Sequence, residues 1–362
     1  MSVKLICVGG ARPNFMKLAP LCRELGSDPD FGLCLVHTGQ HYDDSLSGQF
    51  FRDLGLPVPA HSLEVGSGSH AMQTAEILRR FEPVMLTEQP AGVLVVGDVN
   101  STLGCALVAK KLGCPVIHVE AGLRSFDRSM PEEINRLATD AISDLFLVTE
   151  ESGLEHLARE GADASRTVFV GNLMIDSLYF HLEQARGSGV QQRLGIAGPY
   201  GLVTLHRPAN VDSPAQLAGI TSALAGIAAG LPLYFPVHPR TRQRLAGELP
   251  ANLHLIEPLG YIDFVGLMSA ARVVLTDSGG IQEETTALGI PCLTLRDNTE
   301  RPVTVTEGTN RLAGTSRDSI LAAWREHTAS PKQGRVPRFW DGQAARRCRQ
   351  AIRRFFGMSS GK

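Results

Sequence analysis

The stretch Asp277-Ser278-Gly279-Gly280-Ile281-Gln282-Glu283-Glu284 joins the end of an apolar run to a helical pattern that begins near Ile281. A turn needs one small residue. A serine and two glycines leave room for something large at a helix N-terminus, where free N–H groups favour an anion. Those N–H groups and the Ser278 hydroxyl can cradle a phosphate. Glu283 and Glu284 follow within the first turns. An acid there can accept hydrogen bonds from ribose hydroxyls, or can simply suit the helix dipole. Upstream, Tyr261 and Phe264 offer aromatic faces for a base or for the core. These residue types in this order point to a nucleoside diphosphate.

Other polar residues stand at the ends of apolar runs. Gly9 and Gly10 are followed by Arg12 and Lys17, which could meet a diphosphate at a helix start. No G-x-G-x-x-G occurs there, so a dinucleotide fingerprint is not supported. Asp98 follows the run 92–97 and could cap a helix; Asn100 or Ser101 could do so instead, leaving Asp98 for chemistry. Glu120 ends a buried-looking run, where a carboxylate needs partners, and Arg124, Arg128 and Arg136 are the candidates. Pro131 opens a helix with Glu132 and Glu133 in its first turn, a position acids favour for electrostatic reasons alone. His206 and Arg207 stand at another run end, and His238 and Arg240 repeat the pattern.

The elements that would position these residues alternate along the chain. Runs at 3–8, 31–36, 92–97, 115–120, 145–149 and 167–171 are rich in Val, Ile and Leu without strict alternation, as in strands buried on both faces. Helical patterns separate them, and the arrangement restarts with runs at 201–206, 231–237, 252–257, 272–276 and 291–295. This predicts two parallel sheets with crossover helices. The Gly-rich segment 183–201 puts the junction within about 172–198, giving domains 1–171 and 172–342. A basic amphipathic helix at about 343–357 is expected to pack back on the first domain, its basic face in solvent. In open α/β sheets, ligands bind beyond the carboxyl ends of the strands, where all the residues above fall.

The 362 residues are 43% hydrophobic and 20% charged with a formal net charge of -2, an ordinary globular composition that argues against nucleic-acid binding. Seven cysteines, without a C-x-x-C pair or a His/Cys ligand cluster, suggest reduced thiols in a cytoplasmic protein. No segment is long enough to span a membrane, and the N-terminal run is too short for a signal peptide.

The segments GARPNFMKLAP, TGQHYD, GDVNSTLG, HVEAGLRS, MPEEINR, TLHRPANVD, DSGGIQEE and LRDNTERPV follow one another between about residues 5 and 314. As an ordered set they resemble the non-hydrolysing UDP-N-acetylglucosamine 2-epimerases. The resemblance implies an α/β, GT-B-like fold: two Rossmann-like doubly wound domains facing a cleft, with UDP held mainly by the second. It implies a homodimer that interconverts UDP-GlcNAc and UDP-ManNAc without metal or NAD. UDP is eliminated to leave 2-acetamidoglucal and then adds back. Matching the motifs, Asp98, Glu120 and Glu132 become the acid/base set and His206 a catalytic or diphosphate-stabilising residue. Arg12, Lys17, Ser278, Gly279 and Gly280 hold phosphates, Glu284 the ribose and Phe264 the uracil. Arg136 and Arg301 complete the substrate-binding set.

Two departures stand out. Many bacterial members are activated by a second UDP-GlcNAc; here Gln40 and His41 are present, but residues 62–74 contain no Arg. Arg12-Pro13-Asn14 replaces the commoner Arg-Pro-Glu, which marks a subgroup that could act on a UDP-2,3-diacetamido uronic acid. A hydrolysing 2-epimerase, a GT-B glycosyltransferase and a non-catalytic nucleotide-sugar sensor are the other readings.

Overall fold

The structure, a computed structural model, describes residues 2–39, 51, 54–245 and 249–358, without the side chains of Arg12, Pro239 and Arg240. Two compact units divide the chain: Met1–Ser177 together with Phe339–Lys362, and Leu178–Arg338. The division falls inside the helix Leu173–Arg186.

Unit 1 is built on a seven-stranded sheet of β1 (Val3–Gly9), β2 (Phe31–His37), β3 (His61–Ser62), β4 (Gly92–Val96), β5 (Val116–Ala121), β6 (Leu145–Val148) and β7 (Thr167–Phe169). Its order is β3-β2-β1-β4-β5-β6-β7, and every pairing is parallel. Unit 2 has β8 (Gly201–Thr204), β9 (Leu233–Pro236), β10 (Leu253–Ile256), β11 (Val273–Thr276), β12 (Cys292–Thr294) and β13 (Asn310–Leu312), in the order β10-β9-β8-β11-β12-β13. These pairings too are all parallel. The strand order reverses between β1 and β4 in one unit and between β8 and β11 in the other, and such switch points open the crevice where α/β sheets bind ligands.

Helices on both faces explain the unbroken apolar runs. In unit 1, Ile6, Val8, Val93 and Val95 pack with Ile77, Phe81 and Cys105 from helices His70–Glu88 and Asn100–Lys111. In unit 2, Val203, Phe235, Val273 and Leu275 pack with Ile220, Leu224 and Ile320. All seven cysteines are buried and unpaired. No helix among the described residues is long and apolar enough to cross a membrane.

The C-terminal helix Ala344–Phe355 packs on helix Arg12–Gly26. Its basic face is paired rather than merely solvated. Arg353 binds Asp28 and Asp30, each at 2.8 Å, and Arg349 binds Glu24 at 3.2 Å. Asp176 receives the helix N-terminus, accepting from Ala344 N at 3.0 Å and Ala345 N at 2.7 Å. Burial pushes the Asp176 carboxyl up to about 6 against the pull of those two donors. A raised carboxyl contributes stability at low pH that is lost as the pH rises through that value. Asp176→Ala is expected to cost about 1–3 kcal/mol in chemical denaturation, because two buried N–H groups lose their acceptor. Asp176→Asn, which keeps one acceptor and removes the buried charge, should cost less.

Candidate active site

In unit 1 the candidate residues gather at the ends of β1, β4 and β5. Asn14, in the first turn of helix Arg12–Gly26, accepts from Gly10 N at 3.3 Å and Ala11 N at 3.0 Å and donates to Val96 O at 3.0 Å. It ties the ends of β1 and β4 together across the switch point. An ionised glutamate could not make that donation, so the Asn of the Arg-Pro-Asn departure has a local structural role. Lys17, one turn further on, forms an ion pair with Glu120.

Glu120 is only 7% exposed, and its φ is 70° at an irregularity in β5, where the register to β6 shifts between Val119 and Ala121. A left-handed glutamate is uncommon and is held only where its surroundings over-determine it. Lys17 is a cation paired with it that lies outside the arginines offered by the sequence. A Cβ on Gly97, whose φ is 71°, would lie 3.4 Å from Glu120 Oε2. The carboxylate therefore lies against the turn that carries Asp98.

Asp98 is not a helix cap. The helix begins behind Val99 without a side-chain cap, and the Asp98 carboxylate accepts from Arg136 Nη2 at 2.5 Å. Arg136 also donates through Nη1 to Glu133 Oε2 at 3.0 Å. Glu132 and Glu133 have different roles. Glu133 is 2% exposed and accepts from Ser125 N at 2.9 Å, Ser125 Oγ at 3.0 Å and Phe126 N at 3.1 Å. Burial opposes its charge, but these donors and Arg136 hold its carboxyl below the ordinary value. Glu132 is half-buried, and its side chain makes no hydrogen bond or ion pair among the described residues. The Arg12 side chain, Gln40 and His41 lie outside the described residues.

In unit 2 the organiser is Asp277, just past β11 and 0% exposed. Its carboxylate accepts from His206 N at 3.1 Å, Arg207 N at 3.0 Å and Asn210 Nδ2 at 3.1 Å, which joins the ends of β8 and β11. It also lies 2.8 Å from His206 Nδ1. Burial alone would raise its pKa; His206, the Arg207 N–H and Asn210 outweigh burial and hold it below the ordinary carboxylate value. An ionised Asp277 requires a proton on His206 Nδ1, which fixes the ring and leaves Nε2 as its other polar face. The His206 side chain is 63% exposed.

Ser278 caps the helix Gly279–Leu288 with its backbone only, so its hydroxyl is not used as a cap. A Cβ on Gly279 would meet nothing within 4 Å, so the fold itself does not require this glycine. Helix N-termini carry N–H groups without an intrahelical partner, which suit an anion. Glu284 is buried beside Tyr261, whose hydroxyl donates to Oε1 at 3.0 Å. Burial, reinforced by the neighbouring Glu283 and opposed by Tyr261, pushes Glu284 up to about 7. Arg301 pairs with Glu283 at 2.9 Å, and Phe264 is half-buried on helix Tyr261–Ser269. Arg207 and Arg296 share Glu300, at 3.2 and 3.3 Å. Burial first, then the Arg207 charge, lowers the pKa of Arg296.

Sequence reasoning noted Asp277 only as a strand end and gave no role to Arg296 or His118. Only the position of Asp277, directly before Ser-Gly-Gly, could have signalled its part.

Two Rossmann-like units with matching strand orders place the chain in the GT-B-like class of α/β enzymes. The family model for UDP-N-acetylglucosamine 2-epimerase matches residues 23–353, and the chain belongs to that family of isomerases. The UDP-N-acetylglucosamine 2-epimerase of Methanocaldococcus jannaschii is 42% identical over 337 residues, covering 89% of this chain and 91% of that protein. The UDP-2,3-diacetamido-2,3-dideoxy-D-glucuronate 2-epimerase of Pseudomonas aeruginosa is 40% identical over 353 residues, covering 95% and 98%. The crystal structure of the M. jannaschii enzyme with UDP-GlcNAc and UDP aligns with a TM-score of 0.86 at 38% identity, over 96% of this chain and 99% of that one.

Proposed function

We propose that the protein interconverts UDP-GlcNAc and UDP-ManNAc by eliminating and re-adding UDP. The observation that carries this reading is Glu120, a buried carboxylate held in a left-handed conformation against Lys17 and the Asp98 turn. A carboxylate takes the C2 proton while the anomeric C1–O bond breaks, its electron pair leaving with the β-phosphate oxygen. A C1–C2 double bond forms, giving 2-acetamidoglucal. The UDP oxygen then returns to C1, and a second carboxyl delivers a proton to the other face of C2. The C2 proton is weakly acidic, so departure of UDP must run ahead of its removal or alongside it, and cations must stabilise the leaving group.

Asp98, Glu120 and Glu132 are the proton-handling groups, with Arg136 orienting Asp98 and Lys17 stabilising charge beside Glu120. In unit 2, His206, held by Asp277, and the Ser278–Gly280 N-terminus receive the diphosphate, to which Arg12 also contributes. Arg301 joins the substrate contacts, Phe264 faces the uracil and Glu284 accepts from the ribose. The protein works as a cytoplasmic homodimer. Similar identity to the Pseudomonas relative favours one second reading, in which the same chemistry acts on a UDP-2,3-diacetamido uronic acid. Offering both sugars in competition decides between them: UDP-GlcNAc turnover with the uronic acid untouched supports the first, and the reverse supports the second.

The Glu284 role has a proton signature. In the free protein Glu284 is protonated below about 7. Ribose hydroxyls that donate to it favour its ionised form, so UDP binding at pH 6 should release up to about one proton. Calorimetry in buffers of different ionisation enthalpy measures that number. Glu284→Gln should abolish it, and unchanged proton release in that variant would refute the ribose contact.

A further inference from the structure

His118 lies in β5 and is 0% exposed. Its Nε2 is 2.9 Å from the Gly97 carbonyl oxygen, and its Nδ1 is 2.6 Å from Asp140 Oδ1. A carbonyl only accepts, so Nε2 carries a proton. Asp140 Oδ2 already accepts from Gly122 N at 3.0 Å and Arg124 Nη2 at 2.7 Å, the setting of an ionised carboxylate. Nδ1 therefore also carries a proton. We infer that His118 is a permanent imidazolium and the positioning residue of the unit 1 acid/base set: its Nδ1–H is anchored on Asp140, and its Nε2–H fixes the Gly97 carbonyl and with it the turn that presents Asp98 and faces Glu120.

The surroundings suit a charged ring. Asp140 comes from helix Pro131–Ile142, Arg124 from the segment after β5 and Glu160, which pairs with Arg124, from the end of the next helix. Glu120 lies two residues along the same strand. Burial pushes the ring towards neutrality, but Asp140, the Gly97 carbonyl and the field of Glu120 prevail and hold it above the ordinary histidine value. A buried charge is tolerated when it is paired and hydrogen-bonded on both sides. The gain is geometric: one ring links β4, β5 and helix Pro131–Ile142 behind the carboxylates, where small displacements reduce rates steeply.

The inference rests on the reading of Asp98 and Glu120 as acid/base groups, and its test separates the two. In the full-length protein with ¹⁵N-labelled histidine, both ring nitrogens of His118 should show protonated shifts from pH 6 to 9. One deprotonated nitrogen in that range overturns the imidazolium, and this readout needs no variant to fold. His118→Asn should lower kcat about 10–100-fold, with KM for the UDP-sugar and Kd for UDP little changed. Unchanged kcat in His118→Asn alongside loss of turnover in Asp98→Asn refutes the positioning role alone. Full turnover in both refutes the acid/base reading with it.

Discussion

Glu120→Gln is expected to reduce kcat by about 10²–10⁴-fold, the span for loss of a general acid or base, and to leave UDP affinity largely intact. The substitution keeps the volume of the side chain but removes its ability to take a proton. It also leaves Lys17 without its charge partner. UDP is assigned to unit 2, so its affinity should survive. Asp98→Asn should behave alike, since it removes the charge that pairs with Arg136 and the ability to take a proton. The neighbouring acids make a sharper comparison. Glu132→Gln should act on turnover with little effect on stability, because the Glu132 side chain makes no hydrogen bond or ion pair among the described residues. Glu133→Gln should act on stability, because Glu133 anchors Ser125, Phe126 and Arg136. Steady-state kinetics, UDP titration and denaturation of the four variants check the pattern. Loss of UDP binding in Glu120→Gln or Asp98→Asn would count against the proton-handling roles.

Asp277→Ala is expected to abolish UDP binding and to destabilise the protein by about 3–5 kcal/mol, the cost of breaking a buried charged network. The backbone N–H groups of His206 and Arg207 and the Asn210 amide would lose a shared acceptor. The ends of β8 and β11 would lose their tie, and His206 would lose the partner that sets its tautomer. Asp277→Asn should be milder in stability, because it keeps one acceptor oxygen. It should still weaken UDP binding, since the amide cannot hold His206 as a carboxylate does. Stability near that of the unaltered protein in Asp277→Ala would mean that Asp277 does not organise this end of the unit.

The long elements were legible because each carries its own signal. Buried parallel strands such as β4 and β11 are uninterrupted apolar runs, and the helix after Met130 announces itself with Pro131 and two acids. The edge strands β3 and β13 were not legible. His61–Ser62 and Asn310–Leu312 are too short to form an apolar run, and pairing with a neighbouring strand alone makes them strands. The sequence alone suggests a solvated basic face for the C-terminal helix, because its acidic partners, Glu24, Asp28 and Asp30, lie more than three hundred residues away. At the site, the residue types at strand ends were readable, but their pairings were not. Nothing local indicates that Glu120 meets Lys17 or that Asp98 meets Arg136, since those pairs depend on which strands are neighbours. Asp277 and His118 carry no local signal of their pairings for a related reason: their partners are distant in sequence, the β8 end for Asp277 and the Gly97 carbonyl and Asp140 for His118.

In the proposed reaction the proton at C2 exchanges while UDP departs and returns. The most direct test is to follow the protein and UDP-GlcNAc in D2O by NMR, with no added metal, acceptor or free nucleotide. The expected product is UDP-ManNAc carrying deuterium at C2. Free ManNAc with stoichiometric UDP, or UDP-ManNAc that retains its original hydrogen at C2, would contradict it.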